Sequence, residues 1–458
     1  MSEQAVNLAR AKGLTRRLAE NAMSLRYEAL PENVRGYARH CLLDWIGVTL
    51  AGVDDPLVGM VRDEAMEQGG NAQATLLADG RKTSMLQAAL VNGTMGHALD
   101  FDDVQEAMPG HPSVPVMPVL LALAEVHGAS GRDIITAIAA GIETECRVGM
   151  GMTEGHYTAG WHATGTVGTF GAAAAAARFF GFDADRCANT FGIAGTQAAG
   201  LKSMFGTMCK PLHAGKAAQN GLYAALLTRR GFVARPDVLE CEQGFSDTQS
   251  PAFDAAAAAD GLGRVFHTPG VLFKYHAACY GTHATIEAAK KLRADHGFKP
   301  EEIERVEIRL GMRYLKMCNI QHPTTGLEGK FSLRFTSAMA LSGQSTAKLD
   351  NYSAEKTAEP VIQSLRDRIF VVGDAAMPKS QADVIVSLKG GLVLREHGDV
   401  GVPDADLPRQ WGKLVEKFHD LVDPIVGREQ AARIVATVDG LDGLDDLRKL
   451  VALCASRR

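Results

Sequence analysis

Residues 164–180 read TGTVGTFGAAAAAARFF, and the run 171–178 inside them, GAAAAAAR, carries almost no side-chain bulk. Alanine is the strongest helix former, so the run predicts a helix. Such a helix has no bulky face, and neighbours can approach it closely from several sides. We therefore read it as a buried helix against which others pack. Composition points the same way: 48 of 458 residues are Gly and only 6% are aromatic, so close helix contacts through small side chains must build much of the core.

Working outward, apolar residues recur at three- and four-residue steps on both sides of this segment. The spacing predicts helices over 4–29, 32–52, 55–68, 84–98, 114–127, 130–151, 183–198 and 212–230. The texture changes near Pro269. From 303, IERVEIRL alternates with Val306, Ile308 and Leu310 on one side, which is a strand signal. Residues 368–372 read as a second strand, and 383–395 as two strands around a turn at Gly390-Gly391. Helices are predicted over 331–342, 353–366 and 405–457. The expected organisation is mainly α: a helical domain over 1–267, joined by C-terminal helices 401–458, and an α+β domain over 268–400.

Bulk properties exclude several classes. Hydrophobic residues at 46% and charged residues at 22% fit a chain with a packed core. A net charge of −5 without a basic patch argues against nucleic acid as a partner. The opening MSEQAVNLARAKGLTRRLAE has no apolar signal core, and no unbroken apolar run reaches membrane-spanning length. The eight cysteines form no C-x-x-C pair and read as reduced thiols, so a cytoplasmic protein without membrane partners is expected. No phosphate loop is present, and no Gly-rich segment follows a strand in a β-α-β unit, so neither nucleotide nor nicotinamide chemistry is supported.

Chemistry-bearing residues cluster in five segments. Asp100-Phe101-Asp102-Asp103 follows His97. On a helix end, Asp100 and Asp103 would share a face. A D-x-D-D run also occurs in terpenoid cyclases, but those need aromatic shielding that this chain lacks. His111 precedes Pro112, which biases it toward a fixed loop, where an imidazole serves as acid, base or carboxylate binder. In GHYTAGWHATG, residues 155–165, small residues and Thr164 precede a helix beside His162, a setting suited to an anion. In FGTMCKPLHAGK, residues 205–216, Lys210 stands in an apolar loop near His213, as a cation for a carboxylate or a proton carrier. KYHAACYGTH, residues 274–283, gathers Lys274, His276, Cys279 and His283. It lacks a fourth ligand at zinc spacing and any nucleophile motif around Cys279.

Taken together, NGTMGHALDFDD, the GHPS loop, GHYTAGWHATGTVGTFGAA, FGTMCKPLHAGKAAQNG, ARPDVLECEQGF, FKYHAACYGTHA and TGLEGKFSL resemble, in colinear order over about residues 5–400, the MmgE/PrpD family. The resemblance implies a large helical domain plus a smaller α+β lid domain, a homodimer, no metal or organic cofactor, and an active site in the cleft between domains. It also implies proton chemistry next to a carboxylate on a small polycarboxylate. The leading expectation is a lyase, a hydro-lyase acting on a 2-methylcitrate-like acid or a decarboxylase of an aconitate-like one. An epimerase of an iminodisuccinate-like compound is the alternative, and a non-catalytic polycarboxylate binder the second. Residue by residue, Asp100, His111, His162, Lys210, Lys274 and, by a looser match, Tyr314 fall on family motif positions. One departure is Cys279, five residues after Lys274, where the family's aconitate decarboxylases carry histidine. The expected roles are His162 as base, Lys210, Asp100, His111 and Tyr314 in proton transfer, and Lys274, Thr164, His213, Cys279 and His97 in binding.

Overall fold

The computed structural model describes residues 12–455. The chain divides into two compact units: one runs to Phe273 and resumes at Ala405, and the other is Lys274–Asp404. The part of the predicted first helix before residue 12, and residues 456–457 of the last, lie outside the described residues.

The first unit is helical: α1 (Leu14–Ser24), α2 (Glu32–Ala51), α3 (Pro56–Gln68), α4 (Met85–His97), α5 (Ser113–His127), α6 (Gly131–Ala159), α7 (Ala163–Phe179), α8 (Ala184–Gly195) and α9 (Cys209–Arg229). A two-stranded hairpin, β1 (Ala74–Thr75) and β2 (Lys82–Thr83), precedes α4. The alanine-rich helix α7 lies at the centre, packed on α5, α6, α8 and α9. Ala172 to Ala177 are all fully buried. Close approach is enforced by glycine: a Cβ on Gly221 of α9 would sit 2.7 Å from the backbone nitrogen of Ala173.

Several boundaries differ from the sequence reading; the expected helix 353–366 is two short helices, Ala354–Thr357 and Pro360–Arg366, and 405–457 is broken into separate helices. The first predicted helix ends at Ser24, where Leu25 leaves helical conformation with ψ 137°, and Arg26 Nη1 donates to the carbonyls of Met23 and Leu25, each at 2.8 Å. Helix α6 continues past 151 to Ala159 with one kink at Thr153, φ 56°, so residues 155–159 are helical and not a loop. Helix α9 begins at Cys209, so Lys210 stands in its first turn and not in a preceding loop.

The second unit is built on a mixed four-stranded sheet: β3 (Ile303–Gly311), β4 (Ile369–Asp374), β5 (Gln381–Leu388) and β6 (Val393–Asp399), in the order β4-β3-β5-β6. β3 runs parallel to β4 and antiparallel to β5, and β5 to β6 is a hairpin turning at Gly390-Gly391. Val306, Ile308 and Leu310 are buried, as alternation requires. Helix α10 (His283–His296) covers β5 and β6 and packs on α11 (Leu333–Ser342); α10 falls in a stretch to which the sequence reading gave no helix.

The chain then returns to the first unit as α12 (Leu407–Val426), α13 (Arg428–Asp439) and α14 (Arg448–Cys454). Leu414, Phe418, Leu421 and Val422 line one buried face of α12, which packs on α2. Among the described residues, no helix is long and apolar enough to cross a membrane.

Candidate functional site

The acidic segment is a buried turn, not a helix end. Helix α4 stops at His97, and Asp100 takes a left-handed conformation, φ 50°, that a helix cannot continue through. Asp102 and Asp103 are fully buried rather than solvated. This overturns the shared helical face expected for Asp100 and Asp103.

Asp102 sits between two histidines. His97 Nδ1 lies 2.8 Å from Asp102 Oδ1, and His111 Nδ1 approaches Asp102 Oδ2 to 3.2 Å as an ion-pair contact. Burial by itself would raise the Asp102 carboxyl; His111 and His97 outweigh it and hold it well below its usual range. An ionised carboxylate only accepts, so the neutral His97 turns Nδ1–H toward it and leaves Nε2 as its lone-pair nitrogen. His97 Nε2 is buried without a hydrogen-bond partner. Burial lowers the His97 pKa to about 4, and it is neutral at pH 7.

Asp100 faces the other way, toward Lys210, whose Nζ is 2.7 Å from its Oδ1. His111 Nε2 lies 3.7 Å from the same oxygen. Lys210 stands at a helix N-terminus, where the dipole disfavours a cation, and Asp100 offsets that cost. The Lys210 ammonium also lies 5.5 Å from the Phe205 ring centroid.

His162 precedes the first residue of α7, and its Nδ1 meets His213 Nδ1 of α9 at 3.1 Å. One nitrogen must donate and the other accept, so only one of the two Nδ1 atoms carries a proton and the other ring carries its proton on Nε2 when neutral. Burial, then Lys210, lowers both histidines, His162 far below its ordinary value. Phe205 stands edge-on to His162 at 4.9 Å, and His97 is 6.1 Å away on another side. Thr164 Oγ1 accepts the backbone N–H of His111 at 3.1 Å and so ties the GHPS loop to α7. A Cβ on Gly110 would come within 2.8 Å of that oxygen, so the residue before His111 has to be small.

The structure thus brings His97, Asp100, His111, His162, Thr164, Lys210 and His213 together from three helices, α4, α7 and α9, and from the two loops that precede α5 and α7. Asp102, Asp103 and Ser113 join them without having been singled out individually; Ser113 Oγ donates to Asp103 at 2.5 Å. The signal for the two carboxylates was their repetition in the DFDD run, and Ser113 closes the GHPS loop. Ligating atoms of His97, Asp100, Asp102 and His111 lie within 4.8 Å of one another, close enough to hold a cation. Lys210 already supplies a positive charge at Asp100, and His97 supplies a donor at Asp102. The arrangement offers a fixed ammonium, neutral imidazoles and two helix N-termini, which suits a carboxylate anion and a travelling proton.

The remaining predicted residues belong to the second unit. Lys274 is buried. Cys279 is buried and its backbone N–H donates to the Lys330 carbonyl. The Tyr314 hydroxyl donates to the carbonyl of Lys379, a bond that must open before this phenol can serve as an acid.

A helical unit with a histidine–aspartate–lysine cluster, followed by a small mixed-sheet unit, defines a two-unit α and α+β protein with acid–base groups. The MmgE/PrpD N-terminal domain pattern matches residues 16–258 and the C-terminal domain pattern residues 276–442. The chain belongs to the MmgE/PrpD family. It is 27% identical over 470 residues to the cis-aconitate decarboxylase-like protein oryM of Aspergillus oryzae, covering 96% of this chain and 97% of that protein. It is similar also to the cis-aconitate decarboxylases of Mus musculus, 26% identical over 468 residues (96% of this chain, 93% of that one), and Aspergillus terreus, 25% over 489 residues (99% and 98%).

Proposed function

We propose that this protein is a lyase that acts on a small polycarboxylate by moving a proton at the carbon next to a carboxylate, without a cofactor. The observation that carries the reading is the juxtaposition of the Lys210–Asp100 pair with neutral, buried histidines. Breaking a C–H bond beside a carboxylate builds negative charge, and a fixed ammonium in a dry site lowers that cost. A neutral imidazole next to it accepts the proton. His162, with His213 fixing its tautomer, is the proposed base; Lys210 and His111 receive substrate carboxylates. Similarity to cis-aconitate decarboxylases along nearly the whole chain supports the lyase reading. Cys279, in place of a histidine after Lys274, favours dehydration or epimerisation over decarboxylation as the particular outcome. A dimer is part of the same proposal and is checked by light scattering.

Proton NMR in D₂O with citrate, 2-methylcitrate, cis-aconitate and iminodisuccinate tests it. New vinyl signals from a hydroxy acid establish a dehydratase, and loss of a carboxyl group from cis-aconitate establishes a decarboxylase. Loss of a Cα–H signal with no new product replaces the lyase by an epimerase. Calorimetric binding without turnover of any of the four reduces the protein to a binder.

A further inference from the structure

The C-terminal helix α12 reaches the acidic turn through one side chain. Lys417 is 8% exposed, and its Nζ donates to Asp44 Oδ1 of α2 at 2.6 Å and to the backbone carbonyl of Phe101 at 2.8 Å. The same ammonium lies 4.1 Å from the Phe101 ring centroid. Phe101 separates Asp100, which faces Lys210, from Asp102, which faces the two histidines. The left-handed Asp100 is costly for a side-chain-bearing residue and persists only where its surroundings hold it. Lys417 holds the residue immediately after it at two points, the Phe101 carbonyl by hydrogen bond and the Phe101 ring by cation–π contact.

We propose that Lys417 is a positioning residue: it locks the 101–102 peptide and thereby fixes Asp100 on Lys210 and Asp102 on His97 and His111. Its catalytic consequence rests on the function proposed above; the clamp itself does not. Rotation of that peptide would carry the two carboxylates off their partners, and a displacement of about 1 Å at reacting groups lowers turnover by about 10²-fold.

The test compares Asp44→Asn, Asp44→Asn/Lys417→Met and Asp44→Asn/Lys417→Gln in the full chain. Asparagine at 44 avoids stranding a buried carboxylate. Glutamine lacks the charge but can still donate to the Phe101 carbonyl. With the protein ¹⁵N-labelled at histidine and free of substrate, the methionine variant is expected to shift the His97 and His111 ring resonances. Asp44→Asn alone and the glutamine variant are expected to hold them near their original positions. On whichever of the four polycarboxylates the wild type converts, kcat of the methionine variant falls about 10²-fold with KM within threefold, and glutamine restores much of it. Unmoved resonances in a folded methionine variant overturn the clamp. So do equal shifts with glutamine, which would assign the effect to charge alone. Should the methionine variant not fold, the glutamine variant decides: shifted resonances against Asp44→Asn overturn the proposal, and retained resonances support it. A wild type that converts none of the four acids overturns the functional reading and leaves the resonance test intact.

Discussion

Asp102 decides which nitrogens of this site are available. By accepting from His97 Nδ1 it leaves that ring's Nε2 as the nitrogen through which a proton can pass. Exchange of His162→Ala and of Lys210→Ala is each expected to lower turnover by ~10²–10⁴, the usual range for an acid–base group, in steady-state assays. Near-normal rates in both would remove the base and cation assigned here. Two residues of the acidic turn and its neighbouring helix contribute to the response to pH. The His97 pKa is lowered to about 4 by burial, from 6.5. Between those values the unfolded chain binds the proton and the folded one does not, so stability rises with pH across that window. The Asp103 carboxyl is raised to about 8, by burial and then by Asp44, from 3.8. There the folded state holds the proton, so stability falls as pH rises. The two slopes oppose each other up to 6.5, and Asp103 acts without that opposition from 6.5 to about 8. Each is worth at most about 1.4 kcal/mol per pH unit. Asp103→Asn is therefore expected to flatten the decline in Tm between neutral and mildly alkaline pH, measured by thermal melts. An undiminished decline would mean that Asp103 is ionised in the fold.

At the scale of elements, the contact of α7 with α9 depends on absent side chains. Gly221→Ala places a methyl against backbone of α7 that cannot move away, and a loss of about 1–3 kcal/mol is expected. Gly412→Ala on α12 meets nothing within 4 Å and is expected to stabilise by about 0.5–1 kcal/mol through helix propensity. Calorimetric melts of the two variants, moving in opposite directions, check both. The same helices show what the sequence made legible. GAAAAAAR pointed to a buried central helix because only small side chains allow approach from all sides. IERVEIRL pointed to a strand because one face is buried. The start of α9 was missed because Pro211 and the apolar flank of Lys210 read as a loop; proline is tolerated in a first helical turn, where Pro211 is buried. Helix α10 was missed because its buried face is mostly alanine and threonine, which leaves only Ile286 and Leu292 as a strong apolar signal.

At the scale of the molecule, the first unit is completed by chain that arrives after the second unit is made. Truncation after Asp404 would expose the α2 surface that Leu414, Phe418 and Val422 cover and leave Asp44 without Lys417. Such a chain is expected to aggregate or to lose its cooperative melt; a soluble truncation that melts like the full chain would show α12–α14 to be dispensable. By itself, the sequence determined the helical class, the β strands and the segments that carry chemistry, because periodicity and residue type are local properties. Its resemblance to a family brought those segments into one expected site. The tertiary structure alone decided that Asp102 lies between two histidines, that His162 pairs with His213, and that Lys417 grips the turn more than 300 residues before it. Those contacts depend on burial and on close approach between helices distant along the chain, and no spacing within a segment encodes them.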